Sequence, residues 1–226
     1  AGWARTHTAG NVEYSISADT AVTYDDNITW TPSDELSDVI TVAAIGLSAA
    51  YEGRTRQAAL SARVQEQLFE RRDGFNNTSF DLDASLRQEI TAYDRLTLTE
   101  SFVHAEEPRS FDDILGSVSG RYSYIRNRIR LSYEHDASKQ FTVSYRLFHE
   151  LDEYSTDSLR DSYLLGAGIG GEWLLNERWR AFASWDFSRR RYESLGSART
   201  HTPVAGCRYY FTARSILETT AGLDII

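Results

Sequence analysis

Between Asn11 and Tyr24 the chain alternates with a period of two. Val12, Tyr14, Ile16, Ala18, Thr20, Val22 and Tyr24 share one parity; Glu13, Ser15, Ser17, Asp19, Ala21 and Thr23 share the other. Successive side chains of a strand point to opposite faces, so this stretch has one greasy face and one polar face. It is also long enough to cross a bilayer as a tilted strand, which takes about 9–11 residues.

The pattern recurs along the chain. Strands are expected over 11–24, 39–51, 58–69, 79–90, 96–104, 122–133, 141–151, 163–175, 179–187, 202–211 and 216–226. The connections alternate long and short. Bacterial barrels do this, with short periplasmic turns and longer extracellular loops, whereas a β-sandwich does not sort its loops so regularly. The expected fold is all-β: an antiparallel up-and-down transmembrane β-barrel over residues 11–226, with residues 1–10 as a flexible lead-in. Eleven is an odd count, and single-chain bacterial barrels use even ones. Twelve or more strands are therefore expected, with at least one missed or lying beyond Ile226.

Composition fits this reading. No stretch approaches the roughly 20 apolar residues of a transmembrane helix. A mean hydropathy of −0.45 is no objection, because only alternate residues of a barrel strand need be apolar. The formal net charge of −9 over 226 residues argues against a nucleic-acid partner. Cys207 is the sole cysteine, which excludes an internal disulfide and a cysteine-based zinc site. Tyr24, Trp30, Tyr51, Tyr93, Trp173 and Trp179 sit near strand ends, where amphipathic rings suit the headgroup level.

The polar parity collects Arg63, Arg87, Arg126, Arg128, Arg130, Arg146 and Arg180, joined by Arg208. Glu13, Asp19, Asp81, Asp83, Glu89, Glu150, Glu172 and Asp186 share that parity. Two readings stand side by side. The groups form a salt-bridge lattice filling a narrow lumen, or the arginines form a charged constriction that selects anions. Gly166, Gly168 and Gly170 leave one lumen wall nearly bare, so Arg146 and Arg180 are expected to lie across it, or the sheet to bend sharply there. Glu66 and Glu100 fall on the apolar parity, which marks either a contact surface or a register shift.

Asp25, Asp26, Asp34, Glu35 and Asp38 form an acidic stretch expected in an extracellular loop, without the fixed spacing of a calcium loop. His7, His104, His135, His149 and His201 assemble neither a triad nor a metal-ligand set. No catalytic residue, metal or cofactor is expected, and the chain reads as a non-enzyme.

The Tyr24-Asp25-Asp26-Asn27-Ile28 turn, Pro32, the Asp38-Val39-Ile40 strand start, Gly46-Leu47-Ser48 and the closing Tyr51-Glu52-Gly53 resemble the beta-barrel porin 2 family. Ile45 stands where that pattern would carry proline. The resemblance covers the first quarter of the chain. It implies an outer-membrane barrel, often longer than this chain, with a porin or envelope-export role and no catalytic residues. The resulting expectation is a passive channel or export conduit for polar solutes or saccharides in the bacterial outer membrane. Its partners would be outer-membrane lipid or lipopolysaccharide and a homo-oligomer or envelope complex. The alternative is a non-conducting barrel that serves as a structural or assembly partner.

Overall fold

A computed structural model describes residues 2–29, 35–106, 122–155, 161–193, 196–212 and 215–225. Twelve antiparallel strands form one sheet, each hydrogen-bonded to the next in sequence. They are β1 (Gly2–Ala9), β2 (Val12–Asp25), β3 (Asp38–Glu52), β4 (Arg56–Phe69), β5 (Asn77–Glu89) and β6 (Asp94–Ala105). The second half comprises β7 (Tyr124–Asp136), β8 (Phe141–Tyr154), β9 (Ser162–Leu174), β10 (Trp179–Tyr192), β11 (Gly196–Thr212) and β12 (Ser215–Gly222). Among the described residues β1 pairs only with β2, and β12 only with β11.

The expectation for the N-terminus is corrected. Residues 2–9 are a strand, not a flexible lead-in, and they bring the count to an even twelve. Ala9 pairs with Val12 across a two-residue turn at Gly10 and Asn11, where Gly10 adopts a φ of 62°. Glycine takes that left-handed conformation without a Cβ clash, so the chain reverses within two residues and lays 2–9 along β2.

Loop lengths sort as expected. The strand ends that flank residues 10–11, 53–55, 90–93, 137–140, 175–178 and 213–214 lie at one end of the sheet. The strand ends that flank 26–37, 70–76, 106–123, 155–161 and the shorter 193–195 lie at the other.

The apolar parity is turned outward and left uncovered. Val22 is 70% exposed and Leu165 60%, and the same face carries Ile45, Leu47, Leu147 and Ile169. Buried apolar residues among those described are few: Ile28, Ala44, Phe69, Ala105, Tyr122 and Tyr124. A sheet of this size with its greasy side exposed has no water-facing solution for that surface, and lipid is the solvent that suits it. Rings gather near the ends of this face. Phe141 meets Trp173, and Trp179 meets Tyr209 at the short-turn end; His201 meets Trp185 and Phe187 toward the other.

Glu66 and Glu100 do face outward. The ladders from β3 to β7 run without a break, so a register shift does not place them there. Each is held by a neighbour. Thr78 Oγ1 donates to Glu66 at 2.5 Å, and Asn127 Nδ2 donates to Glu100 at 3.1 Å.

Candidate pore lining

The polar parity makes a continuous inner face, and pairing across the sheet shows what each charge does. On it, eight arginines and eight carboxylates are matched in ion pairs among the described residues. Arg63 on β4 reaches over β3 to Asp19 on β2, with contacts of 2.9 and 3.0 Å. Arg146 on β8 reaches over β9 to Asp186 on β10 at 2.9 Å. Arg180 binds Glu172 at 2.6 Å, and Arg208 binds both Glu172 and Glu218.

The densest knot lies toward the long-loop end. Asp152 takes Arg126 and Arg190, and Glu150 takes Arg128 and Arg190. The Asp152 side chain is 4% exposed and that of Arg126 13%. Tyr122, Tyr124 and Ala105 are packed together at the same end. Fixed partners and near-complete burial make Asp152 and Arg126 part of the wall, while Arg128 at the edge of the knot stays open to the lumen side.

The glycine stripe works partly as expected. Arg146 lies over Gly168: a Cβ there would sit 1.7 Å from Asp186 Oδ1 and 3.2 Å from Arg146 Nε. Phe148 covers Gly166 in the same way, at 2.2 Å. Arg180 does not cross the stripe. Its guanidinium is held by Glu172 and lies over the Tyr210 ring, 5.5 Å from the centroid, because its register partner on β9 is Leu174, beyond the glycines.

Gly168→Ala therefore tests the close approach. Alanine in a strand is ordinarily better than glycine by about 0.5–1 kcal/mol, but here it must push the Asp186–Arg146 pair aside, and such overpacking costs about 1–3 kcal/mol. Net destabilisation is expected, with Gly168→Ala and Asp186→Ala strongly non-additive in urea unfolding from vesicles. Additive costs would show that the two side chains do not compete for that space.

Arg87 and Arg130 form no ion pair among the described residues, and neither do Glu13, Asp81, Asp83 and Glu89. Three of these unmatched groups, Glu13, Asp83 and Arg130, border one cavity, while Asp81, Arg87 and Glu89 lie outside its lining. This cavity, of about 700 Å³, opens on the inner face, with Glu13 and Asp83 on one side and Arg128, Arg130, Phe148 and Glu150 on the other. Its lining comes from β2 through β9, which requires the sheet to curl around it. Arg128 is bound to Glu150 yet keeps 53% of its side chain exposed.

The acidic stretch is less uniform than its sequence. Asp25 caps the turn by accepting from the Asn27 amide at 2.9 Å. Asp26 and Glu35 are exposed. Asp38 is a correction: it is 2% exposed, opens β3, and accepts from the amides of Val39 and Arg71. Its carboxylate ties two chain segments together and is no solvated loop acid. Asp34 lies outside the described residues. Among those residues no group of histidines, cysteine and carboxylates is arranged to hold a metal ion.

Two inner-face arginines escaped the sequence reading. Arg95 falls in the connection between the strands expected over 79–90 and 96–104, but it is the second residue of β6 and binds Glu134 and Asp136. Arg190 lay past the expected end of its strand, and β10 runs on to Tyr192.

No family model matches the chain, and no curated protein matches its sequence. Solved structures do match in fold. The outer-membrane channel DcaP of Acinetobacter baumannii aligns with 99% of this chain and 62% of its own, at a TM-score of 0.63 and 9% identity. An outer-membrane channel from Pseudomonas putida F1 aligns over 97% and 90%, at 0.52 and 12% identity. OmpT, an outer-membrane protein of Vibrio cholerae, aligns over 94% and 78%, at 0.55 and 6% identity. This chain thus spans less than two thirds of the length of DcaP. At such identities the likeness is one of fold, and that fold is the up-and-down sheet of bacterial outer-membrane β-barrels.

Proposed function

We propose that the chain lies in the bacterial outer membrane and acts as a passive, porin-like channel or export conduit for polar solutes, saccharides among them. The observation that carries this reading is the curled inner face, whose cavity is bounded by unmatched acids on one side and by Arg130 and the half-exposed Arg128 on the other. The uncovered apolar outer face and the fold shared with outer-membrane channels support it. The resemblance of the first quarter of the chain to the beta-barrel porin 2 family is the finer form of the same proposal.

Selectivity follows from which charges remain unmatched. Arg63, Arg126, Arg128, Arg146 and Arg180 have carboxylate partners, so their fields are largely cancelled. Arg87 and Arg130 are left to act, opposed by Glu13, Asp81, Asp83 and Glu89. Opposed walls of this kind orient a dipolar or hydroxyl-rich solute more than they filter one sign of ion.

Single-channel conductance in planar bilayers under a salt gradient tests this. Steady openings with a weak cation preference are expected; Arg130→Ala should strengthen that preference and Asp83→Asn should weaken it. A marked anion preference abolished by Arg126→Ala would mean that the matched arginines are the filter after all. The matched lattice itself favours a second reading, a barrel closed by its own ion pairs and serving as an envelope-assembly partner. A folded barrel that inserts and never conducts would establish that one.

A further inference from the structure

The outer face of the β10–β11 hairpin carries a charge pattern that neither the channel nor ordinary strand packing uses. Along β10 the outward residues run Trp179, Ala181, Ala183, Trp185 and Phe187, then Arg189 and Arg191. On β11, Arg199 stands directly opposite Arg189, and Ser197 opposite Arg191. All three arginines are exposed. Like charges directly opposite each other weaken a ladder, and no carboxylate is in ion-pair range of any of the three among the described residues. Their polar contacts are weak and neutral. Arg189 touches Ser197 Oγ at 3.3 Å, and Arg191 touches Tyr163 Oη at 3.3 Å. Glu193, two residues beyond Arg191, takes no part.

Height along the barrel gives the pattern its meaning. Arg189 stands ten residues beyond Trp179 on the same strand. At about 3.3 Å per residue and a tilt near 40°, that is about 25 Å, the height of the apolar band of a barrel. The Trp185, Phe187 and His201 rings lie just below the arginines. The cluster also sits at the long-connection end, which is the extracellular one in bacterial barrels. Three guanidinium groups at that height face the headgroups of the outer leaflet, and planar guanidinium is the side chain best shaped for phosphate.

We propose that Arg189, Arg191 and Arg199 form a binding site for the phosphate groups of a phosphorylated outer-leaflet lipid of the lipopolysaccharide class. The phosphate supplies the negative charge that the facing arginines lack, and the aromatic rings beneath them flank its acyl chains. The site rests on the membrane-spanning reading made under Proposed function.

The test uses the full chain reconstituted in phosphatidylcholine vesicles, with bisphosphorylated lipid A, dephosphorylated lipid A and inorganic phosphate as probes, and retention read by native mass spectrometry. The wild type should retain bisphosphorylated lipid A and release the dephosphorylated form. The triple variant Arg189→Gln, Arg191→Gln, Arg199→Gln should bind lipid A on the order of a hundredfold more weakly. Arg199→Gln alone should lose part of that affinity while unfolding, without lipid A, at the same or a higher urea concentration, since it relieves the facing charges. Equal retention by the triple variant, or equal retention of dephosphorylated lipid A by the wild type, overturns the site. Displacement by inorganic phosphate at the lipid's own concentration would make it a free-anion site and overturns the lipid assignment. Insertion is scored in parallel by heat-dependent gel mobility. A wild type that inserts but retains no lipid A overturns this site alone, whereas one that never inserts removes the membrane reading with it.

Discussion

Asp152→Ala is expected to destabilise the folded barrel by about 3–5 kcal/mol, the cost of leaving buried charge without its partner. Asp152 is shared: it accepts from Arg126 and, at 3.0 Å, from Arg190. Its side chain is 4% exposed and that of Arg126 13%, so water can do little to replace it. Asp19→Ala offers the contrast. The Asp19–Arg63 pair has equally good geometry, but both side chains are about 40% exposed, and such pairs contribute at most about 1 kcal/mol. Urea midpoints of the two variants in vesicles should differ widely. Equal shifts would show that burial at the long-loop end does not set the strength of the lattice.

Ile169→Arg is expected to cost about 2–4 kcal/mol, as a cation does at the midplane of a barrel's lipid face. Ile169 is outward on β9, midway along the strand and 46% exposed. In a water-soluble sheet a residue so exposed would accept arginine within about 0.5 kcal/mol. The same charge on the inner face serves as the control. Ser61→Arg stands opposite Asp83 and should change stability by less than about 1 kcal/mol. A large loss at Ile169 with little at Ser61 distinguishes lipid from water as the solvent of the outer face; similar small effects would sink the membrane assignment.

The strands were legible because one rule, outward apolar and inward polar, holds for most strand residues among those described between Val12 and Tyr210. Where the rule failed, an opposing local feature was present. The segment 2–9 reads as a lead-in because Arg5 and His7 put polar side chains at outward positions, although the Gly10-Asn11 turn announces a hairpin. The alternation ends at 187 and begins again at 202, short of the real ends of β10 and β11. The reason is related: Arg189, Arg191 and Arg199 occupy outward positions that the rule reserves for apolar residues. The composition of the polar face was also legible, and each of the eight arginines assigned to that parity lies on it. Their partners were not. Whether Arg146 meets Asp186 or Glu172 depends on the pairing of three strands at once, and parity alone leaves that open.

Slippage by two residues is the error that strand alternation cannot prevent, because it keeps every apolar side chain outside. The ion pairs that skip a strand do prevent it. Arg146, Gly168 and Asp186 fall in one row across β8, β9 and β10. Moving β10 by two residues would bring Ser184 or Ser188 to that row and leave both charges stranded. Moving β9 would send the carboxylate toward Phe148 over Gly166 or toward Ser144 beside Gly170. Each hairpin's alignment is thus checked by the strand that follows it, so a misaligned sheet meets its penalty while it is being assembled, before the next hairpin can build on the mistake.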